Sequence, residues 1–167
     1  MSGMHHQPDG RAFDIVLILH VACVVAGLAT AVASATTAVR LRALLETAEP
    51  FPDALRRYFR PGVNWAGRAV YGIPVFGFAL LALSQGSYSL RDGWVIGGLA
   101  VFVGLAIVAE GVLWPAERRL QVSLVPVAGG GVPVPDSVHR DARAMVGASA
   151  VALALLVLGT ALMVVQP

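Results

Sequence analysis

Four long apolar runs dominate the chain, each bounded by charge, proline or glycine. The first runs from Phe13 to Val39, with His20 its only strongly polar interruption after Asp14. The second covers about Ala66 to Gly86, the third Trp94 to Trp114 with Glu110 inside it, and the fourth about Ala144 to Val165 without a charge. A bilayer core needs about 20 consecutive apolar residues in helical form. The runs do not alternate with period two, so they predict helices, and open backbone cannot cross lipid. With flanking turns included, the predicted helices are about 13–49, 66–86, 94–120 and 137–165, after a tail over 1–12. The fold class expected is all-α: a single four-transmembrane-helix bundle.

The segments between the runs refine this picture. Leu41, Leu44 and Leu45 extend the helical spacing of the first run up to a stop at Pro50. From Pro52 to Arg60 the chain is basic and aromatic; the expectation is a plain loop, with an interfacial helix held to anionic lipid by Arg56, Arg57 and Arg60 as the alternative. The turn from Ser87 to Gly93 is short and predicts that the second and third helices pair as an antiparallel hairpin. The stretch Val125 to Pro135 is irregular. Its glycines, Gly129 to Gly131, lack the Lys-Ser/Thr of a phosphate loop. Asp136 and Ser137 offer an N-cap to the last helix.

Composition supports a membrane protein. Of the 167 residues 57% are hydrophobic and 13% charged, against about 25% charged in soluble domains. All twelve basic residues are Arg. Ten of them (Arg40, Arg42, Arg56, Arg57, Arg60, Arg68, Arg118, Arg119, Arg140 and Arg143) fall in or beside the two long loops; only Arg11 and Arg91 fall on the other side. The positive-inside rule then makes both long loops cytoplasmic and both termini extracytoplasmic. The net charge of +2 is too small to argue for nucleic acid. Ala33-Ser34-Ala35 resembles a cleavage site, but the region ahead of the run is not positive, so the first helix is expected to be retained.

Small residues mark the expected seams. Gly97, Gly104 and Gly111 recur every seven residues, and Ala26, Thr30, Ser34 and Ala38 every four. Such stripes let backbones approach in lipid, within the bundle or against a partner. Ionisable groups in the slab are candidates for function. His20 and Cys23 share a helix face near the outer end, and such a pair suits Cu(I). Glu110 lies near the inner end, within reach of Arg68 or Arg143. Met4, His5 and His6 form a candidate metal-binding tail. Haem is disfavoured, because His139 stands at the opposite end from His20. The chain has no His-Glu-x-x-His, no Gly-x-Ser-x-Gly and no paired-Cys motif, so the expectation is a non-enzymatic protein without a cofactor.

Leu17-Ile18-Leu19-His20, and Leu113-Trp114-Pro115-Ala116-Glu117-Arg118-Arg119-Leu120 at the close of the third helix, carry a resemblance. They are similar to an uncharacterised family of small bacterial predicted integral membrane proteins, itself distantly similar to copper-resistance D membrane proteins. The resemblance implies a bacterial inner-membrane protein and no activity to transfer. Two roles follow as expectations. The first is an accessory subunit that packs against a larger membrane complex, such as a respiratory one, or against its own copies. The second is a small transporter or copper-handling protein using His20, Cys23 and a Glu110–Arg68 pair.

Overall fold

The computed structural model describes residues 10–47, 51–127 and 134–165, the side chains of 125–127 excepted. The tail ligands Met4, His5 and His6, the stop at Pro50 and the glycines 129–131 lie outside the described residues. The described residues form helices and turns only: α1 (Arg11–Thr47), α2 (Asp53–Tyr58), α3 (Trp65–Arg68), α4 (Gly72–Leu83), α5 (Gly93–Val108), α6 (Trp114–Val127) and α7 (Asp136–Val164). A 3-10 turn, Ala69–Tyr71, joins α3 to α4, and a π turn, Ala109–Leu113, joins α5 to α6. Four continuous stretches are therefore long and apolar enough to cross a bilayer: Arg11–Thr47, Trp65–Leu83, Gly93–Leu124 and Asp136–Val164.

Both irregular turns stand next to a proline. Pro115 has no N–H to give the Gly111 carbonyl, and the π turn widens the helix there. Pro74 likewise leaves the Val70 carbonyl without its usual partner. The chain closes this turn through the Gly72 N–H, which donates to the Ala69 and Val70 carbonyls.

The seam of α1 has a seven-residue period. His20, Gly27, Ser34 and Leu41 are buried, with Ala31 and Ala38 beside them. On the opposite side Ile18, Val25, Val32 and Val39 are exposed. An aliphatic face turned outward at this spacing is what lipid contact requires. The four-residue stripe therefore resolves differently from expectation. Ser34 and Ala38 pack inside, whereas Ala26 and Thr30 are half-buried, and the Thr30 hydroxyl donates back to the Ala26 carbonyl at 2.9 Å.

Three of the spans outrun the bilayer. Gly93–Leu124 has 32 residues, so it is about 48 Å long at 1.5 Å per residue, against an apolar core of about 30 Å. The excess gathers at the Arg-rich end. There Leu41, Leu55, Phe59, Leu113, Trp114, Leu120, Val138 and Met145 form the densest part of the core. The segment expected as a loop is helix α2. Leu55 and Phe59 turn inward and Arg56, Arg57 and Arg60 stay exposed. Six residues are too few to announce a helix by propensity; packing of one apolar face supplies the stability.

The expected hairpin does not pack as a pair. α1 lies between α7 and α4, and α7 lies between α1 and α5. α4 and α5 follow one another in the chain, yet their backbones form no seam of the kind that α1 makes with α4 or α5 with α7. What bridges them is Tyr71, whose ring meets Phe102 edge-on at 6.3 Å and Trp114 at 5.8 Å. The short turn fixes their sequence neighbourhood, but both helices find better partners in α1 and α7. Above Tyr71 a cleft opens sideways between them.

Candidate functional site

Two polar groups occupy opposite ends of the bundle. At the Arg-rich end, Arg68 Nη1 is 3.4 Å from Glu110 Oε1, and its guanidinium lies 3.7 Å over the Trp114 ring. The Tyr71 hydroxyl donates a short hydrogen bond to the same Glu110 oxygen. The π turn sets this geometry, because it carries Glu110 at the junction where α5 becomes α6. Arg143, the other partner considered for Glu110, donates instead to the His139 carbonyl at 3.3 Å. Half the Glu110 side chain is exposed, so the pair is worth little by itself.

Behind it runs a buried polar chain. The Ser34 and Tyr58 hydroxyls share a hydrogen bond of 2.7 Å. Tyr58 also interacts with the Glu117 carboxylate, and Asn64 Nδ2 approaches Glu117 Oε1 at 3.5 Å. Asn64 Oδ1 in turn accepts from the Gly67 N–H at 3.2 Å and so caps α3. Glu117 is only 4% exposed, with Arg68 and Arg118 as the nearest cations. Burial, and then the Glu117 charge, hold the Tyr58 hydroxyl above its ordinary range, so it remains a donor. The chain thus ties α1, α2, α3 and α6 together. A crevice of about 20 Å³ lies beside it, lined by Asn64, Arg68, Trp114, Glu117, Arg118 and Gln121.

At the other end, His20 is 5% exposed and its Nε2 lies 3.5 Å from Met163 Sδ on α7. Cys23 is half-buried against α4, where Gly72 leaves room for its sulfur. The His20 ring faces Gly77, also of α4. His20 and Glu110 do not meet. Among the described residues no three His, Cys, Asp or Glu side chains converge.

The glycine stripe divides. A Cβ on Gly97 would touch Leu162 at 3.4 Å and one on Gly104 would touch Leu155 at 3.7 Å, so both lie on the α5–α7 seam. Gly111 faces open space. The cleft beside α5 has α7 as its floor and only Ile73 from α4; Gly98, Val101, Phe102, Gly159 and Met163 also line it, and its space is about 30 Å³.

Several of these residues were not singled out by sequence reasoning. Met163 reads as an ordinary core filler. Glu117 sits in a charged run that looks solvated until α2 covers it. Asp141, only 8% exposed, pairs with Arg119 at 2.9 Å and joins α6 to α7. An acidic residue at the Arg-rich end of the fourth span, facing an Arg pair at the same end of the third, was the available signal.

No curated protein and no solved structure matches the chain. One family does, over residues 14–167, and its description is predicted integral membrane protein. That description names no copper-resistance D protein and no activity. With four apolar spans and the match extending over nearly the whole chain, the protein belongs to the DUF2269 family of predicted integral membrane proteins.

Proposed function

We propose that this protein is a non-catalytic accessory subunit of a membrane complex, and that the cleft between α4 and α5 receives one transmembrane helix of its partner. The observation that carries this reading is that the backbones of α4 and α5 form no close seam. Two apolar spans joined by a short turn leave a face of the bundle that the described residues do not cover. Gly98 lies on this face with nothing within 4 Å of the place its Cβ would take, so an incoming backbone can come close. The enclosed space, about 30 Å³, is far below what a substrate-sized molecule fills. The Arg-rich cap, held by Ser34, Tyr58 and Glu117, keeps the other end rigid. The Arg asymmetry supports a cytoplasmic position for that end, and the resemblance to small bacterial membrane proteins implies the bacterial inner membrane.

The test is purification from native membranes in mild detergent, followed by a native gel and mass spectrometry of the band. The expected result is migration within a larger assembly, lost in Gly98→Leu while the isolated variant unfolds at the temperature of the parent. Migration as a monomer from the parent protein overturns the reading.

A further inference from the structure

The polar groups at the Arg-rich end satisfy one another, whereas His20 at the other end is not satisfied. Among the described residues its Nδ1 has no hydrogen-bond partner of regular geometry, and the Ile73 backbone is the group that interacts with the ring. Its Nε2 faces the Met163 thioether, which has no proton to give. If Nε2 carries the ring proton, it makes a weak contact to sulfur and the Nδ1 lone pair is stranded. If Nδ1 carries it, two lone-pair donors, Nε2 and Sδ, face each other at 3.5 Å. Neither tautomer satisfies the ring. A cation between Nε2 and Sδ would take up both facing lone pairs and leave the ring proton on Nδ1, toward the Ile73 backbone.

We infer that His20 Nε2 and Met163 Sδ form a binding site for a soft monovalent metal ion, Cu(I) or Ag(I), between α1 and α7. An imidazole with a thioether is a soft donor set, and the nearest carboxylate along α1, Asp14, is exposed. The donors stand 3.5 Å apart, less than the roughly 4 Å that two metal–donor bonds in line would span, so an ion held by both sits off the line between them or draws the two side chains apart. Cys23 stands three residues from His20 on α1, but its sulfur lies in the room left by Gly72 on α4 and is not counted among the donors. Met163 also lines the lateral cleft, so the site opens beside the bundle rather than into a sealed core. This inference is independent of the docking role of the cleft.

The experiment is a titration of the full-length purified protein with Cu(I) under reducing conditions against a chromophoric chelator. Met4, His5 and His6 are replaced by Ser so that the tail contributes no donor. The expected result is one ion per chain, with a metal–sulfur shell in the X-ray absorption spectrum. Met163→Leu, which conserves volume, weakens binding by roughly tenfold or more, since even outer-sphere partners of metal ligands are worth that much. His20→Gln weakens it at least as far, and Cys23→Ser retains a metal–sulfur shell. Absence of binding in the tail-substituted parent overturns the inference, as does binding that neither Met163→Leu nor His20→Gln weakens.

Discussion

Ser34, in the middle of α1, and Tyr58, at the end of α2, hold their hydroxyls 2.7 Å apart. This bond fastens the short basic helix onto the bundle, and Tyr58 passes the connection on to Glu117. The two residues should respond unequally to substitution. Tyr58→Phe strands both Ser34 and one side of the Glu117 carboxylate, and should cost about 1–3 kcal/mol. Ser34→Ala leaves Tyr58 with Glu117 and should cost less. Thermal unfolding in detergent measures both, and a larger loss for Ser34→Ala would contradict the geometry.

Arg68 serves two partners and Glu110 only part of one network. Arg68→Ala removes the ion pair and the stacking on Trp114 together; stacking of this kind contributes about 0.5–1 kcal/mol at exposed sites. Glu110→Ala should therefore be the milder change, and the double variant should lose less than the sum of the singles. Strict additivity in the double-mutant cycle would mean the pair does not couple.

The approach of α4 to α1 depends on Gly72. A Cβ there would run into the Cys23 sulfur. Gly72→Ala should destabilise the bundle by about 1–3 kcal/mol, and Cys23→Ala should relieve much of that loss. Gly111→Ala, where no atom stands within 4 Å of the added Cβ, serves as the control and should be nearly neutral. Chemical or thermal unfolding of the four proteins tests the contact. A harmless Gly72→Ala would show that the helices stand further apart.

Ser149 is fully buried in α7, and its hydroxyl has no hydrogen-bond partner among the described residues. Ser149→Ala removes an unsatisfied polar atom at almost constant shape. It should leave stability unchanged or raise it by about 1 kcal/mol. A clear loss in the unfolding midpoint would reveal a partner for this hydroxyl.

The four spans were legible because apolar length and the charge deficit report directly on the bilayer. The facing of α1 was half legible: small residues marked its seam, but the true period of seven emerges only once α4 and α7 flank it. The helix α2 was legible only as the alternative to a loop, since its formation rests on Leu55 and Phe59 meeting the cap rather than on its own propensity. The splayed α4–α5 pair was misread for a related reason. A short turn constrains where two helices begin, while packing against α1 and α7 decides where they lie. His20 was visible as a polar group in an apolar run, and Arg68 and Glu110 were visible as residues at matching depth. Met163 and Glu117 were not, because a Met in a span resembles core and a Glu in a basic run resembles surface.

The uncovered cleft is the centre of this account, and Phe102 lines it. Replacing Phe102 by a photoreactive aromatic amino acid and irradiating native membranes reads its occupant directly, with Val157, exposed elsewhere on α7, as the control position. The account predicts a single protein adduct from position 102 and none of that mass from position 157. Labelling of lipid alone at position 102, in membranes where the protein is fully assembled, would contradict it.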